Sequence, residues 1–547
     1  MRRLSICLIL PRFEPSYFGR EYMLPILPGD KRCMMIGGAL PLLAALVPDG
    51  YTVSIIDENV EKIDFAAVRE FDVVGITGMI VQKHRMDEIL EELGGMKGIV
   101  CVGGPYATVD EEHFKGRCDV LFVGEADETW PRFLDDFAAG RPFQYRYKQD
   151  VPTDMSRLPT PRFNMVRTEH YASASIQFSR GCPFLCEFCD IIVIFGRKPR
   201  VKQTTQILAE LDALLALGVR HVFFVDDNFI GNKALAKALL RELVGWQERH
   251  GYLMTFSTEA TINLADEAEL IELMWRANFS SVFIGVESPR RESLLETRKV
   301  QNVRGDSIEA KLDRLRNGGI IVSAGFIVGF DNDDEGVFDE QFDFIQRNGI
   351  GLATVSILSP IPSTPLYERL ARDERLVPDD EVVWFEPKLM SRETLKQRYT
   401  DLNLRLYTPE AFFDRLFHGY GRSAAFRKRH REREARHKRA RRHLVSTISG
   451  ANASLVMIWR LSRAIAREKL LGTLGRAYLK FYITHNKPFG RDAMPLPEFL
   501  ALCARHWHHF KLAAENRSYW GRAGTRSPNI PPMIQPEPAL VRNRLAS

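Results

Sequence analysis

The chain has 547 residues, enough for three or four domains at about 150 residues each, or fewer if one is a barrel. Hydrophobic residues at 45% and charged residues at 27% describe an ordinary globular protein and exclude a fibrous or disordered one. The net charge is +5, yet the stretch 421–443 alone carries eleven Arg/Lys against Glu432 and Glu434, a local +9 that leaves the remainder at −4. That split argues against a nucleic-acid-binding body and confines any affinity for polyanions or membrane surfaces to one segment.

Met1-Arg2-Arg3 followed by the apolar run 4–10 imitates a secretory signal, but Pro11, Arg12 and Glu14 stand where a cleavage site belongs. The run is therefore expected to be a buried first strand. Further short apolar runs at 52–57, 73–77, 99–102 and 120–123 alternate with helix-length segments, which predicts a doubly wound, mostly parallel sheet over 1–141. Its carboxyl ends carry Asp57, Thr77-Gly78, Gly103-Gly104-Pro105 and Gly124-Glu125. Ligands of such sheets sit outside those ends, where glycines let a backbone approach, although the same glycines also serve plain tight turns.

Residues 142–167, rich in Pro, Arg and Thr and without periodicity, read as a linker. The alternation resumes with strand-like runs at 176–179, 221–225, 254–257, 281–285, 320–328 and 352–357, with intervening helices at 203–217, 266–277 and 336–347 and another ending at 312. Six such units over 168–376 predict an incomplete barrel or open parallel sheet. Beyond Leu376 helices dominate to about residue 520, with starts at Ser391 and at Thr408-Pro409-Glu410, and 521–547 reads as a loose tail. No run of about 18 apolar residues occurs, so nothing is expected to span a bilayer.

Eight cysteines are too few for a disulfide scaffold, and Cys182, Cys186 and Cys189 crowd into one loop with C-x3-C-x2-C spacing directly after a predicted strand. Soft thiolates so grouped favour zinc or iron. A structural zinc site wants a fourth Cys or His at ligand spacing, and the next histidine downstream is His221. A cube of four irons held by three cysteines would instead keep one iron open to an exchangeable ligand, and a cytoplasmic location follows from such a site.

With Phe188 before the last cysteine, this loop resembles the signature of the radical S-adenosylmethionine (SAM) superfamily. The resemblance implies a 4Fe–4S cluster on Cys182, Cys186 and Cys189, SAM chelated at the open iron, reductive formation of a 5′-deoxyadenosyl radical, and an electron donor such as flavodoxin or ferredoxin. It also implies SAM contacts at later strand ends. These are Asp226 and Asp227, where members often carry Gly-Gly-Glu, then Ser257 and Glu259, and Glu287 and Ser288. Gly325 and Gly329 complete the set, in a stretch resembling G-x-I-x-G-x-x-E with Asn332 in the Glu place. A helix N-cap is the competing role for either aspartate taken singly.

A doubly wound domain before such a core is similar to the cobalamin-binding radical SAM class, and Arg180-Gly181-Cys182, Gly103 to Thr108, Gly124-Glu125 and Pro360 to Tyr367 all read like it. The implied architecture is a Rossmann-like cobalamin-binding domain, a partial (β/α)6 radical SAM barrel and a helical carboxyl-terminal region. Thr77, Gly103, Gly104 and Glu125 are the implied cobalamin contacts. The D-x-H-x-x-G cobalt-ligand motif is missing, as the loop Pro11-Arg12-Phe13-Glu14-Pro15 shows, and many members of the class lack it. Residues 189–200 and 406–413 are similar to the branch containing hopanoid methylases, which implies methylation of an unactivated carbon of a lipid-like or secondary-metabolite substrate. Cyclisation, rearrangement or another group transfer without methyl transfer stays open as the alternative. The basic segment 421–443 fits a solvated helix, a nucleic-acid contact or an anchor to anionic headgroups, and the helix after it, with Leu455, Ile458 and Trp459 among arginines, fits peripheral membrane contact or core packing. The acidic body speaks against nucleic acid as partner.

Overall fold

The structure is a computed structural model that describes residues 3–377, 380, 382–443 and 450–520; the tail read at 521–547 lies outside the described residues. Seven strands occupy the first 150 residues: β1 (Ser5–Leu10), β2 (Cys33–Ile36), β3 (Thr52–Asp57), β4 (Val73–Thr77), β5 (Ile99–Gly103), β6 (Val120–Val123) and β7 (Arg146–Lys148). All but β2 form one parallel sheet in the order β3-β1-β4-β5-β6-β7. Successive side chains of β1 point to opposite faces: Cys7 and Ile9 pack with Met86, Ile89 and Tyr106 on one side, Ile6 and Leu8 with Leu40, Trp130 and Phe133 on the other. A sheet covered on both faces is what the unbroken apolar runs demand.

Eight strands follow: β8 (Tyr171–Ile176), β9 (Ser179–Arg180), β10 (Arg200–Val201), β11 (His221–Phe224), β12 (Thr255–Glu259), β13 (Phe279–Glu287), β14 (Ile321–Val328) and β15 (Leu352–Ile357). The second sheet is a partial barrel in the order β15-β14-β13-β12-β11-β8-β2, parallel throughout, while β9 and β10 form a separate antiparallel ribbon. On β13, Val282, Ile284 and Val286 are fully buried against the outer helices, and Ser281, Phe283 and Gly285 alternate with them toward the lumen, where they keep partial access. Phe224, Phe256 and Phe279 interlock beneath the helices with ring centroids 5.3–5.5 Å apart.

Three expectations are corrected. The strand expected at 176–179 lies earlier, at Tyr171–Ile176, and Ser179–Arg180 is the start of the ribbon instead. The stretch read as a linker contains β7, whose Tyr147 stacks on Phe122 at 5.4 Å. The partial barrel has a seventh strand, β2, taken from inside the first domain: Cys33, Met35 and Ile36 pair with Tyr171, Ser173 and Ala174.

The carboxyl-terminal region is helical, as expected, and its helix starts carry the expected caps: Ser391 Oγ accepts from Thr394 N at 3.0 Å and Thr408 Oγ1 from Ala411 N at 3.3 Å. The basic segment is not a free solvated face. Along the helix Ala424–His443, Arg429, Arg433 and Arg436 share one side. Arg433 donates to the Phe279 carbonyl at 2.9 Å and the Gly319 carbonyl at 3.0 Å, and Arg429 and Arg436 lie 4.7 and 4.1 Å from the Trp275 ring. That side clamps the amino ends of β13 and β14, away from the cysteine loop, and Lys428 and Arg431 remain on the exposed side.

Candidate active site

The cysteine loop leaves the barrel after β8 through β9. Gly181 has φ of +95°, and a Cβ there would lie 2.9 Å from the Gly196 carbonyl, so the turn into Cys182 requires glycine. Cys182 N donates to Gly196 O at 3.3 Å and Cys189 N to Cys186 O at 3.2 Å, which folds the three thiols into one compact loop. Burial pushes Cys189 up to about 12 and raises Cys182. Gln301 Nε2 donates to Cys186 Sγ at 3.5 Å. Lys299 is buried with its ammonium 5.8 Å from the Phe188 ring and 2.6 Å from Glu287; burial opposes its charge, but Glu287 and the sulfurs of Cys186 and Cys189 outweigh that and hold it protonated. Among the described residues no three His, Cys, Asp or Glu side chains converge as ligands of a single metal ion, so the loop is not preformed as a mononuclear site.

Beside this loop the sheet ends gather acids. Asp226 Oδ1 accepts from Ser179 N and Asp227 Oδ2 from Gly181 N at 2.7 Å, so both aspartates hold the base of the cysteine loop. Glu259, on the next strand, makes no side-chain hydrogen bond to a described residue. Burial first, then repulsion from Asp227, pushes Asp226 to about 7; burial, then repulsion from Asp227 and Asp226, pushes Glu259 to about 7; and burial pushes Asp227 to about 6. Asp226 Oδ2 and Ser179 Oγ are buried and lack a partner. Ser257 lies two residues before Glu259 on the same face of β12.

Other expected contacts do different work. Glu287 sits at φ +65°, next to a register shift between β13 and β14, and is engaged by Lys299. Ser288 is fully buried, and its Oγ accepts from Arg290 N at 3.1 Å. At Gly325 a Cβ would lie 2.9 Å from the Phe283 ring, and Gly329, with φ +102°, donates its amide to buried Asp333 at 3.0 Å. Asn332, in the motif's Glu place, faces Glu296.

Thr77, Gly103 and Gly104 meet at the carboxyl edge of the first sheet, where Gly104 has φ +95° and a Cβ would lie 2.3 Å from Thr77 Oγ1. A crevice of about 50 Å³ descends from them past Leu8, Leu40, Phe122 and Trp130, and the Trp130 indole N–H is buried there without a partner. Glu125 is engaged within the protein: its carboxylate bonds Arg180 at 2.8 Å and Arg200 at 2.9 Å, and Asp127 bonds Arg180 at 2.5 Å. Arg180 immediately precedes Gly181, so this buried network locks the first sheet's edge onto the cysteine loop. Ile194 and Ile361 add apolar contacts to the first domain's core, and Ser363 Oγ donates to the Val109 carbonyl at 3.1 Å.

Residues 176–345 match the model of the radical SAM superfamily and residues 38–134 that of the B12 binding domain. An uncharacterized methyltransferase of Synechocystis sp. is 38% identical over 75% of this chain and 77% of its own length, and the hopanoid C-2 methylase of Rhodopseudomonas palustris is 33% identical over 76% and 78%. The chain belongs to the cobalamin-binding class of the radical SAM superfamily. The cobalamin-dependent SAM radical enzyme OxsB, bound to aqua-cobalamin and SAM, shares the fold with a TM-score of 0.60 at 16% identity, over 95% of this chain and 84% of that one. Residues 364–519 match a domain of unknown function.

Membership implies a 4Fe–4S cluster, SAM and cobalamin. The residues present fit these groups: three thiols on one compact loop, carboxylates beside it that make no ion pair with a described residue and suit a cationic ligand, and a crevice below Thr77, Gly103 and Gly104 in which the Trp130 indole N–H is buried without a partner. Lys299, Gln301, Asp127 and Asp333 were missed from sequence. The weak signal for Asp127 is its place two residues after Glu125; nothing local marks Lys299 or Gln301, whose partners Glu287 and Cys186 lie 12 and 115 positions away, while Asp333 accepts from the nearby amides of Gly329 and Phe330 and from Ser293, 40 positions away.

Proposed function

We propose that this protein holds a 4Fe–4S cluster on Cys182, Cys186 and Cys189, cleaves SAM reductively, and methylates an unactivated carbon of a lipid-like substrate with the help of cobalamin. One observation carries the reading: the thiol loop, the unneutralised acids and the first sheet's carboxyl edge share one mouth, joined by Arg180. When bound, the cluster supplies the electron that breaks the sulfonium carbon–sulfur bond, the resulting primary radical is strong enough to remove hydrogen from an unactivated carbon, and cobalamin carries the methyl group.

The chain's own residues bind, orient and shield. Asp226, Asp227 and Glu259 offer negative charge to the ammonium and sulfonium of SAM. Lys299 lies beside the sulfurs and favours their thiolate form, and Gln301 supplies a hydrogen bond to one of them. Phe283 and Ile327, on the lumen side of β13 and β14, give an apolar wall suited to a hydrocarbon body and exclude water from the reacting carbon. The hopanoid C-2 methylase among the relatives supports a polycyclic or lipid-like substrate. Exposed Leu455, Ile458 and Trp459, with Arg463 at 5.4 Å from the Trp459 ring, support a peripheral contact through which such a substrate arrives from a membrane surface. Reducing electrons come from a flavodoxin- or ferredoxin-type donor.

Anaerobic reconstitution with iron and sulfide, followed by absorbance and electron paramagnetic resonance, tests the cluster: the signal is expected in the wild type and absent in Cys186→Ala. Turnover is expected to give S-adenosylhomocysteine together with 5′-deoxyadenosine. 5′-Deoxyadenosine alone would overturn methyl transfer in favour of cyclisation or rearrangement, and zinc in place of iron would overturn the whole reading.

A further inference from the structure

The partial barrel is open between its edge strands β15 and β2, and that side is filled by the loop after β1 and by the helices Arg392–Leu406 and Leu496–Trp520. Tyr407 donates its hydroxyl to the Ala353 carbonyl of β15. Its ring stacks on His509 at 4.6 Å and on Tyr17 at 6.1 Å, and Arg415 lies behind it at 5.3 Å. Phe18, next in the loop, is 61% exposed in area yet meets the lumen-side ring of Phe283 edge-on at 5.6 Å. Phe283 is the register partner of Glu259, so the loop enters the same lumen as the acids described above.

Around Tyr407 this filling is cationic. Arg20 and Arg505 are enclosed by protein but keep some accessible area. Neither side chain makes a hydrogen bond or ion pair with a described residue, and the Nε atom of each is buried without a partner. Burial and mutual repulsion lower Arg20 to about 9, and burial lowers Arg505. Glu498, which Arg505 senses, is engaged by His430 at 3.3 Å. His509 is fully buried with both ring nitrogens unpartnered, and its neighbour His508 by contrast bonds Tyr22 N and Ser16 O. Arg415 is held by the Ile350 carbonyl at 3.0 Å and faces no carboxylate, so it adds charge without neutralising any. Enclosed guanidinium groups without a counterion are costly unless an anion completes them, and a planar fork of donors suits carboxylate or phosphate oxygens.

We infer that Arg20, Arg505 and His509 bind an anionic group, a carboxylate or phosphate, borne by a substrate whose apolar body lies in the lumen against Phe18 and Phe283. This deepens the proposed function and rests on it: the lipid-like substrate carries an acidic group at the end away from the reacting carbon, and that group sets which carbon reaches the cysteine-loop mouth.

The test is equilibrium binding and thermal unfolding of the anaerobic full-length holoenzyme with dodecyl phosphate, dodecanoate, dodecanol and inorganic phosphate. At least one of the two long-chain anions is expected to bind about tenfold or more tightly than dodecanol and than inorganic phosphate. Arg20→Met and Arg505→Met are each expected to weaken that binding about 30-fold and, by removing an unpaired enclosed charge, to raise the ligand-free Tm. Equal binding of dodecanol, or unchanged anion binding in Arg20→Met, would overturn the site. Inorganic phosphate binding as tightly as the long-chain anions would overturn the apolar body. If Arg505→Met does not fold, Arg20→Met, on a loop, decides alone. These readouts need no turnover, so failed methyl transfer leaves them standing, and failed anion selectivity leaves 5′-deoxyadenosine formation standing.

Discussion

The molecule holds two enclosed groups of charge and one that looks similar but behaves differently. At the cysteine loop, Asp226, Asp227 and Glu259 make no ion pair with a described residue, although Arg180 and Arg200 are near enough to Asp227 to be felt; at the barrel's open side, neither do Arg20 and Arg505, the latter feeling Glu498 only at a distance. Between the domains, Glu125, Asp127, Arg180 and Arg200 are equally buried but closed upon one another at 2.5–2.9 Å. Burial alone does not separate a binding group from a structural one. Neutralisation does: charges that close on each other hold the fold, and charges left open wait for a ligand. In the reading proposed above, the acids would take a cationic cosubstrate and the arginines an anionic substrate, which puts opposite signs at two positions of one lumen.

The sharpest break is at the thiols. Cys186→Ala is expected to abolish the iron–sulfur signal and all SAM cleavage, checked by electron paramagnetic resonance and 5′-deoxyadenosine release. Next, Arg180→Met leaves Asp127 facing no cation and is expected to cost about 3–5 kcal/mol, read by denaturant unfolding. A loss below about 1 kcal/mol would place Arg180 with the open charges instead of the closed ones.

Glu259→Gln is expected to weaken SAM binding by about tenfold, measured by anaerobic calorimetry. The same acids set a pH dependence. Their folded affinities for protons, about 7 for Asp226 and Glu259 and about 6 for Asp227, are raised above the unfolded values, so their stabilising contribution is complete below about pH 4 and is lost as pH rises toward 7. Ligand-free protein should therefore lose stability over that window, SAM should bind more weakly below about pH 6, and binding near pH 6.5 should release protons. The smallest effect is expected at the surface: Trp459→Glu should lower retention on anionic vesicles a few-fold and leave SAM binding unchanged, read by co-sedimentation.

Much of this was legible in the sequence because it is local. The alternating apolar runs gave both sheets, and the spacing of three cysteines gave the loop that anchors the chemistry. Asp226, Asp227 and Glu259 lie at the carboxyl ends of β11 and β12 as expected, because topology makes strand ends predictable. What escaped depends on distant partners. Nothing around Glu125 announces its ion pairs with Arg180 and Arg200, and Lys299 carries no motif, gaining meaning only where Glu287 and the sulfurs meet it. The run Cys33–Ile36 is too short to announce a strand and sits among loop residues, so its pairing with β8 has no periodic signal. The basic stretch misled by composition: charge counts treat Arg433 as solvated, whereas two carbonyls hold it beneath the barrel.

That short run has a consequence for how the protein can be taken apart. Because Cys33–Ile36 flanks Tyr171–Ile176, the cobalamin-side and SAM-side units are woven together instead of strung in series. A fragment beginning near residue 142 would lack this strand and bare the hydrogen-bonding groups along Tyr171–Ile176, an invitation to aggregate. During synthesis the early strand must wait some 135 residues for its mate, and any chimera that exchanges the front unit with a cousin's has to import a matching edge along with it.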